Sequence, residues 1–144
     1  MGTVNVDKLT EFLRGEISAV ETYRFALEKV AGSEARSTLQ ECQRSHEERV
    51  RLIRDEIIRM GGAPSTAWGA WRTWARAIEG TAKLGGEQAA IAVLEEGEDH
   101  RLEGYRLDDD ELVDERVRAL VSGKLLPQQQ LTRSRIGHLK KQLR

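Results

Sequence analysis

The stretch GEISAVETYR, Gly15 to Arg24, returns 82 residues later as GEDHRLEGYR, Gly97 to Arg106, with Gly, Glu, Glu, Tyr and Arg at matching places. In each copy a glutamate precedes a tyrosine by seven residues, two turns of an α-helix, so both side chains lie on one face. Around the first copy, Leu9, Leu13, Glu16, Val20, Tyr23, Leu27 and Val30 recur in steps of three and four. Around the second, Ile91, Leu94, Glu98, Leu102 and Tyr105 do the same. Both stretches therefore read as helices, and each carries a carboxylate on its apolar stripe.

Outward from the first copy, Asp7 offers an N-cap, Gly32 a stop and Ser33 the next cap. Leu39, Cys42, His46, Val50, Ile53, Ile57 and Met60 form a second stripe that ends at Gly61-Gly62-Ala63-Pro64. The short link forces the first two helices antiparallel. Ser65 or Thr66 can cap a shorter helix whose Trp68, Trp71, Trp74 and Ile78 share one face, before Gly85-Gly86 interrupts it. A third long helix is expected from about Glu87 to Leu107. A fourth is expected from near Asp110 to the C-terminus through Val113, Val117, Leu120, Val121, Leu125, Ile136, Leu139 and Leu143, with a kink at Pro127. Residues 1–144 are expected to form one all-α domain: two related helical hairpins making an up-down-crossover-up-down four-helix bundle, with the short Trp-bearing helix in the crossover.

Composition agrees. Two prolines and 5% aromatics against 33% charged residues favour long solvated helices over a sheet. The single cysteine, Cys42, has no partner for an internal disulfide, and the N-terminus has neither a basic start followed by an apolar run nor a cleavage site, so a cytoplasmic protein is expected. No run approaches eighteen apolar residues, which argues against a membrane partner. A net charge of −1 gives no reason to look to nucleic acid. Residues 95–115 hold eleven acidic residues and 116–144 hold eight basic ones and no acid, a pattern expected of an acidic helix lying beside a basic one. The Trp face reads either as a plug at one end of the core or as a subunit contact, and with the amphipathic helices it leaves a homo-oligomer, such as a dimer, as the expectation. Phosphate loops, nucleophile elbows and Cys-x-x-Cys pairs are absent from the sequence.

The inward carboxylates carry the functional question. Burying an ionised Glu costs several kcal/mol unless it is paired, hydrogen-bonded or bound to a cation. His46 is the third inward polar residue, with Gln43 one turn before it. The set permits three outcomes: a core metal site, carboxylates held by Tyr23, Tyr105, Gln43 or His46, or carboxyls kept neutral by burial that raises their pKa.

The segments LRGEISAVETYRFAL, QRSHEERVRLIRDEI and EEGEDHRLEGY resemble the first three helices of bacterioferritins and rubrerythrins, with Glu16, His46 and Glu98 at ligand places. Residues 8–143 as a whole resemble a small bacterial ferritin-like family of unknown function, whose fourth helix carries a Gln and, eight residues later, a His: here Gln130 and His138. The resemblance implies a ferritin-like bundle with Glu16, His46, Glu98 and His138 as metal ligands and Gln43, Tyr23, Tyr105 and Gln130 around them. It implies Fe, Mn or Zn as cofactor and a role in iron or oxidative-stress handling. At the places of the bridging glutamates stand Gln43 and Arg135, so one metal per chain is expected rather than two. The other reading is a non-enzymatic helical interaction or structural module that kept the fold and holds no metal.

Overall fold

A computed structural model describes residues 2–64, 71–106 and 114–143, and every regular element among them is helical. In order these are α1 (Gly2–Lys29), α2 (Ser33–Arg59), α3 (Trp71–Tyr105), α4 (Glu115–Leu120), a π-helical turn (Val121–Leu125) and α5 (Leu126–Gln142). None of the described helices is long and apolar enough to cross a membrane. Trp68 and the expected start of the fourth helix at Asp110 lie outside the described residues, as do the side chains of Trp71, Trp74 and Ile78.

The helices form a square in which α1 packs against α2 and α3, and α5 packs against the same two. Two apolar clusters fix their directions. One gathers Tyr23, Ala26 and Val30 with Ala35, Leu39 and Cys42, with Ala90, Ile91, Val93 and Leu94, and with Ile136 and Leu139. The other gathers Leu9, Phe12 and Leu13 with Ile53, Ile57, Tyr105, Val117, Val121 and Leu125. The end of α1, the start of α2, the middle of α3 and the end of α5 thus share one end of the bundle. The order is up, down, down, up. It differs from the expected up-down-crossover-up-down because α2 ends beside the second cluster, whereas Glu87, just after the break in α3, lies at the opposite end beside Ala31 and Gly32.

Local chemistry explains the boundaries. Helix α1 begins at Gly2, so Asp7 lies inside it rather than at its cap. Its early turns are anchored by packing: Asn5 is buried, its Oδ1 accepts from the Asp114 N–H at 3.4 Å, and Val6 lies against the second cluster. The N-cap of α2 is Gly32, not Ser33. The carboxylate of Glu87 takes over part of the capping from across the bundle, accepting from the N–H groups of Ala31 at 2.7 Å and Gly32 at 3.3 Å. Arg36 donates to the carbonyls of Val30, at 3.0 Å, and Leu27, covering the end of α1. At the end of α2, Gly61 adopts φ +82°, and the N–H groups of Gly61 and Gly62 bond the carbonyls of Ile58 and Ile57. Those two bonds make a Schellman closure at the Gly61-Gly62 pair where the second stripe was expected to end.

The interruption at Gly85-Gly86 also has a backbone cause. Gly86 sits at φ 69° and ψ −153°, a region reserved for glycine, and divides α3 into two helical pieces. The Pro127 region is handled by the π turn just before it, where the Leu126 N–H reaches back five residues to the Val121 carbonyl. Buried residues here run Val117, Val121, Leu125 and Gln129, three successive steps of four. Such steps drift by about 40° each around an α-helix, and the wider turn takes up that drift. The acidic and basic segments do lie side by side: Arg133 pairs with Asp99 and Glu95, and Lys140 with Glu95 at 3.0 Å.

Candidate functional site: a buried charge network

Between the two apolar clusters lies a polar layer. Glu16 from α1, His46 and Arg49 from α2, Glu98 from α3, and Gln129 with Thr132 from α5 are all buried. His46 stands between the carboxylates, with Nδ1 2.5 Å from Glu16 Oε1 and Nε2 2.6 Å from Glu98 Oε2. The tyrosines cross over. Tyr23 donates to Glu98 Oε2 at 2.8 Å, and Tyr105 donates to Glu16 Oε2. Each copy of the repeat therefore supplies the hydroxyl that satisfies the glutamate of the other.

The remaining carboxylate positions are filled by α2, α3 and α5. Glu98 Oε1 accepts from Gln129 Nε2 at 2.9 Å and from Thr132 Oγ1 at 2.5 Å, and Glu98 Oε2 also accepts from Arg101 at 3.2 Å. Arg49 Nη1 donates to Glu16 Oε2 at 3.4 Å and to Gln129 Oε1, while Nη2 donates to Thr132 at 3.0 Å and Ser45 at 3.1 Å. Among the described buried side chains only Ser18 Oγ and Arg101 Nε have no partner.

Electrostatics follow from this layout. Burial pushes the Glu16 carboxyl up, but Arg49 and His46 outweigh it and hold the group below its ordinary value of 4.5. For Glu98, burial is likewise overcome, here by His46, Arg101 and the Thr132 hydroxyl, and the carboxyl is held far below 4.5. Burial and the neighbouring carboxylates push Tyr23 and Tyr105 well up, so both stay protonated donors. Each ring nitrogen of His46 faces one carboxylate, so the imidazole bridges the two glutamates. Burial, with the Glu98 charge behind it, pushes the Cys42 thiol up to about 12, which leaves it an unreactive member of the core.

A depressed carboxyl stabilises the fold fully above its unfolded value, and that contribution is lost as pH falls from about 4.5 through the folded values. Stability should thus hold from neutral pH down to about pH 5 and drop below it. Denaturant midpoints measured along that series test this. In Glu98→Gln the drop should be shallower, and equal slopes in the two proteins would contradict the assignment.

The residues read from sequence divide into two groups. Glu16, His46, Glu98, Tyr23 and Tyr105 meet in the layer. Gln43 is half-buried and donates to the Val20 carbonyl at 3.2 Å instead. Gln130 and His138 are exposed, and His138 lines surface clefts with Thr38 and Glu41 on one side and Lys140 and Lys141 on the other. The π turn sets this phase: it turns Gln129 and Thr132 inward, which leaves Gln130 and His138 outside. His100 is exposed and Arg135 pairs with Glu41 at the surface.

The donor set fits a resident metal poorly. Ligands must converge on one point, and here the imidazole separates the two carboxylates; among the described residues no three His, Cys, Asp or Glu side chains take a metal-holding arrangement. Charge argues the same way, because Arg49 and Arg101 already offset the two glutamates. Arg49 and Arg101 carried no ligand signature in the sequence, although Arg49 falls on the stripe between His46 and Ile53.

The model of a family described as Domain of unknown function (DUF2383) matches residues 4–107, well over half of the chain, and takes in Glu16, His46, Arg49, Glu98, Arg101 and Tyr105. No curated protein and no solved structure matches the chain.

Proposed function

The chain belongs to the DUF2383 family, and from that premise we propose that it is a ferritin-like helical module that works without catalysis through its surfaces, its core held by its own charges in place of a metal. The ferritin-like part of this reading is supported by the order of the helix directions, up, down, down, up. The absence of a resident metal is supported above all by one observation. Every oxygen of Glu16 and Glu98 already accepts from a side chain of the protein, guanidinium groups included. A divalent cation would have to displace those donors and enter a layer whose carboxylate charge is already matched.

Elemental analysis of the purified protein, with thermal melts in the presence and absence of Fe(II), Mn(II) and Zn(II), tests the reading. The expected result is no stoichiometric metal and an unmoved midpoint. One bound equivalent, with a rise in midpoint that Glu16→Gln/Glu98→Gln abolishes, would instead establish the metal-binding role in iron or oxidative-stress handling that the sequence resemblance implies. Homodimerisation belongs to the same proposal, and the Trp68 face that motivates it lies outside the described residues.

A further inference from the structure

Between α2 and α5 the buried layer is spanned by the Arg49 side chain, which donates to Gln129 and, at 3.0 Å, to Thr132. On each side of that bridge the seam between the helices opens at the surface into a cleft. One is lined by Arg44, Ser45, Leu131 and Arg135, the other by Leu52, Asp55, Glu56, Arg116, Leu120 and Lys124. Leu131 is 52% exposed, one of two large apolar side chains so placed among the described residues, and Leu52 and Leu120 are half-buried. The carboxylates that line the clefts are already taken: Glu41 pairs with Arg135, Asp55 with Arg51 and Glu56 with Arg59. Arg44 and Arg116 are exposed and have no ion pair among the described residues, and Lys124 stands near Glu48, a carboxylate that Arg51 holds. The charge left over beside two partly apolar clefts is therefore positive.

We propose that this seam is the docking surface through which the module works, and that its occupant is an acidic amphipathic helix of a partner protein. This rests on the surface-acting, metal-free reading above. Spacing argues for a helix. Ser45 in one cleft and Leu52 in the other are seven residues apart on α2, about 10 Å, which is the rise between side chains two turns apart on any helix laid alongside. Apolar side chains at i and i+7 of that helix would enter the clefts beside Leu131 and Leu52. Charge argues for acid. Carboxylates flanking the apolar stripe would face Arg44 at one cleft and Arg116 and Lys124 at the other, whereas a basic helix would bring like charges against all three. The paired carboxylates Glu41, Asp55 and Glu56 interrupt the positive lip, which suits separate carboxylates better than the continuous phosphates of a nucleic acid.

The test places a photo-reactive benzoylphenylalanine at Leu131 of the full chain and irradiates the cells that make it, with the same group at Arg54, exposed on α2 outside both clefts, as the control. Mass spectrometry then reads the sequence of the cross-linked segment. The expected adduct, formed from Leu131 and not from Arg54, is a segment of another protein with net negative charge and apolar residues at i and i+7. Its yield should fall about tenfold in Arg44→Glu/Lys124→Glu, and similarly when irradiation is repeated in a lysate at roughly 0.5 M salt. An unchanged melting midpoint shows that the charge-reversed pair is folded, and if it is not, the salt series decides alone. No adduct above the control overturns the proposal, as does a neutral or basic segment, a segment of a second copy of this chain, or a yield indifferent to both charge reversal and salt. Those results leave the metal-free reading standing, which falls only to bound metal in elemental analysis of the same protein.

Discussion

Replacing Glu98 by alanine is expected to lower the stability of the bundle by about 3–5 kcal/mol, and with it the melting midpoint by roughly 10–15 °C. Five side chains donate to this carboxylate: Tyr23, His46, Arg101, Gln129 and Thr132. Removing it takes the carboxylate partner from Arg101 and leaves the buried Tyr23, His46, Gln129 and Thr132 groups that faced it unpaired, a desolvation cost that exceeds the loss of any one hydrogen bond. The cost should also exceed that of Tyr23→Phe, which removes one donor and leaves the charges matched. Urea or guanidinium titration of the two variants gives the comparison. A Glu98→Ala protein within 1 kcal/mol of wild type would mean that the layer rearranges freely or admits water.

The opposite result is expected when the whole layer is exchanged at once. Replacing Glu16, His46, Arg49, Glu98 and Arg101 by Leu or Met, Gln129 by Leu, Thr132 by Val and both tyrosines by Phe should give a helical protein as stable as wild type, or more stable by about 1–4 kcal/mol. No buried charge is then left without a partner, and apolar contacts replace costly desolvation. Denaturant midpoints decide the sign. A concerted variant markedly weaker than wild type would show that the network contributes net stability. The contrast between the two experiments separates the cost of breaking the network from the worth of having it.

Much of this layer was legible in the sequence, and the reasons for the gaps are physical. Glu16 and Glu98 stood out because a carboxylate on an apolar stripe needs a partner, and the seven-residue spacing to Tyr23 and Tyr105 put a donor on the same face. Arg49 was passed over for Val50, although the steps Cys42, His46, Arg49 and Ile53 run four, three, four. An apolar residue beside a charged one draws the eye when burial is read from hydropathy alone. Stepping back from Leu139 and Ile136 by four and three lands on Thr132 and Gln129, so their inward placement was also available. Gln130 and His138 came from resemblance rather than from the stripe, and the stripe was right. What pattern could not supply was the π turn, whose single wide turn follows from packing and Pro127 together. Nor could it supply the direction of α3, which shows only in the placing of Glu87 beside Ala31 and Gly32.

The crossed tyrosines have one more consequence. In the two pairs, Glu16 with Tyr105 and Tyr23 with Glu98, the residue numbers add to the same total, as neighbours on antiparallel rods must. The duplicated motif therefore reads as its own complement, like a palindrome, and a local dyad relates one bond to the other. Sliding α3 against α1 breaks both bonds together, and no displacement by a turn restores one without the other. Two marks at matched spacing on facing rods act as a vernier: a single pair would fix position only loosely, whereas two fix both the alignment and the sense in which the rods run.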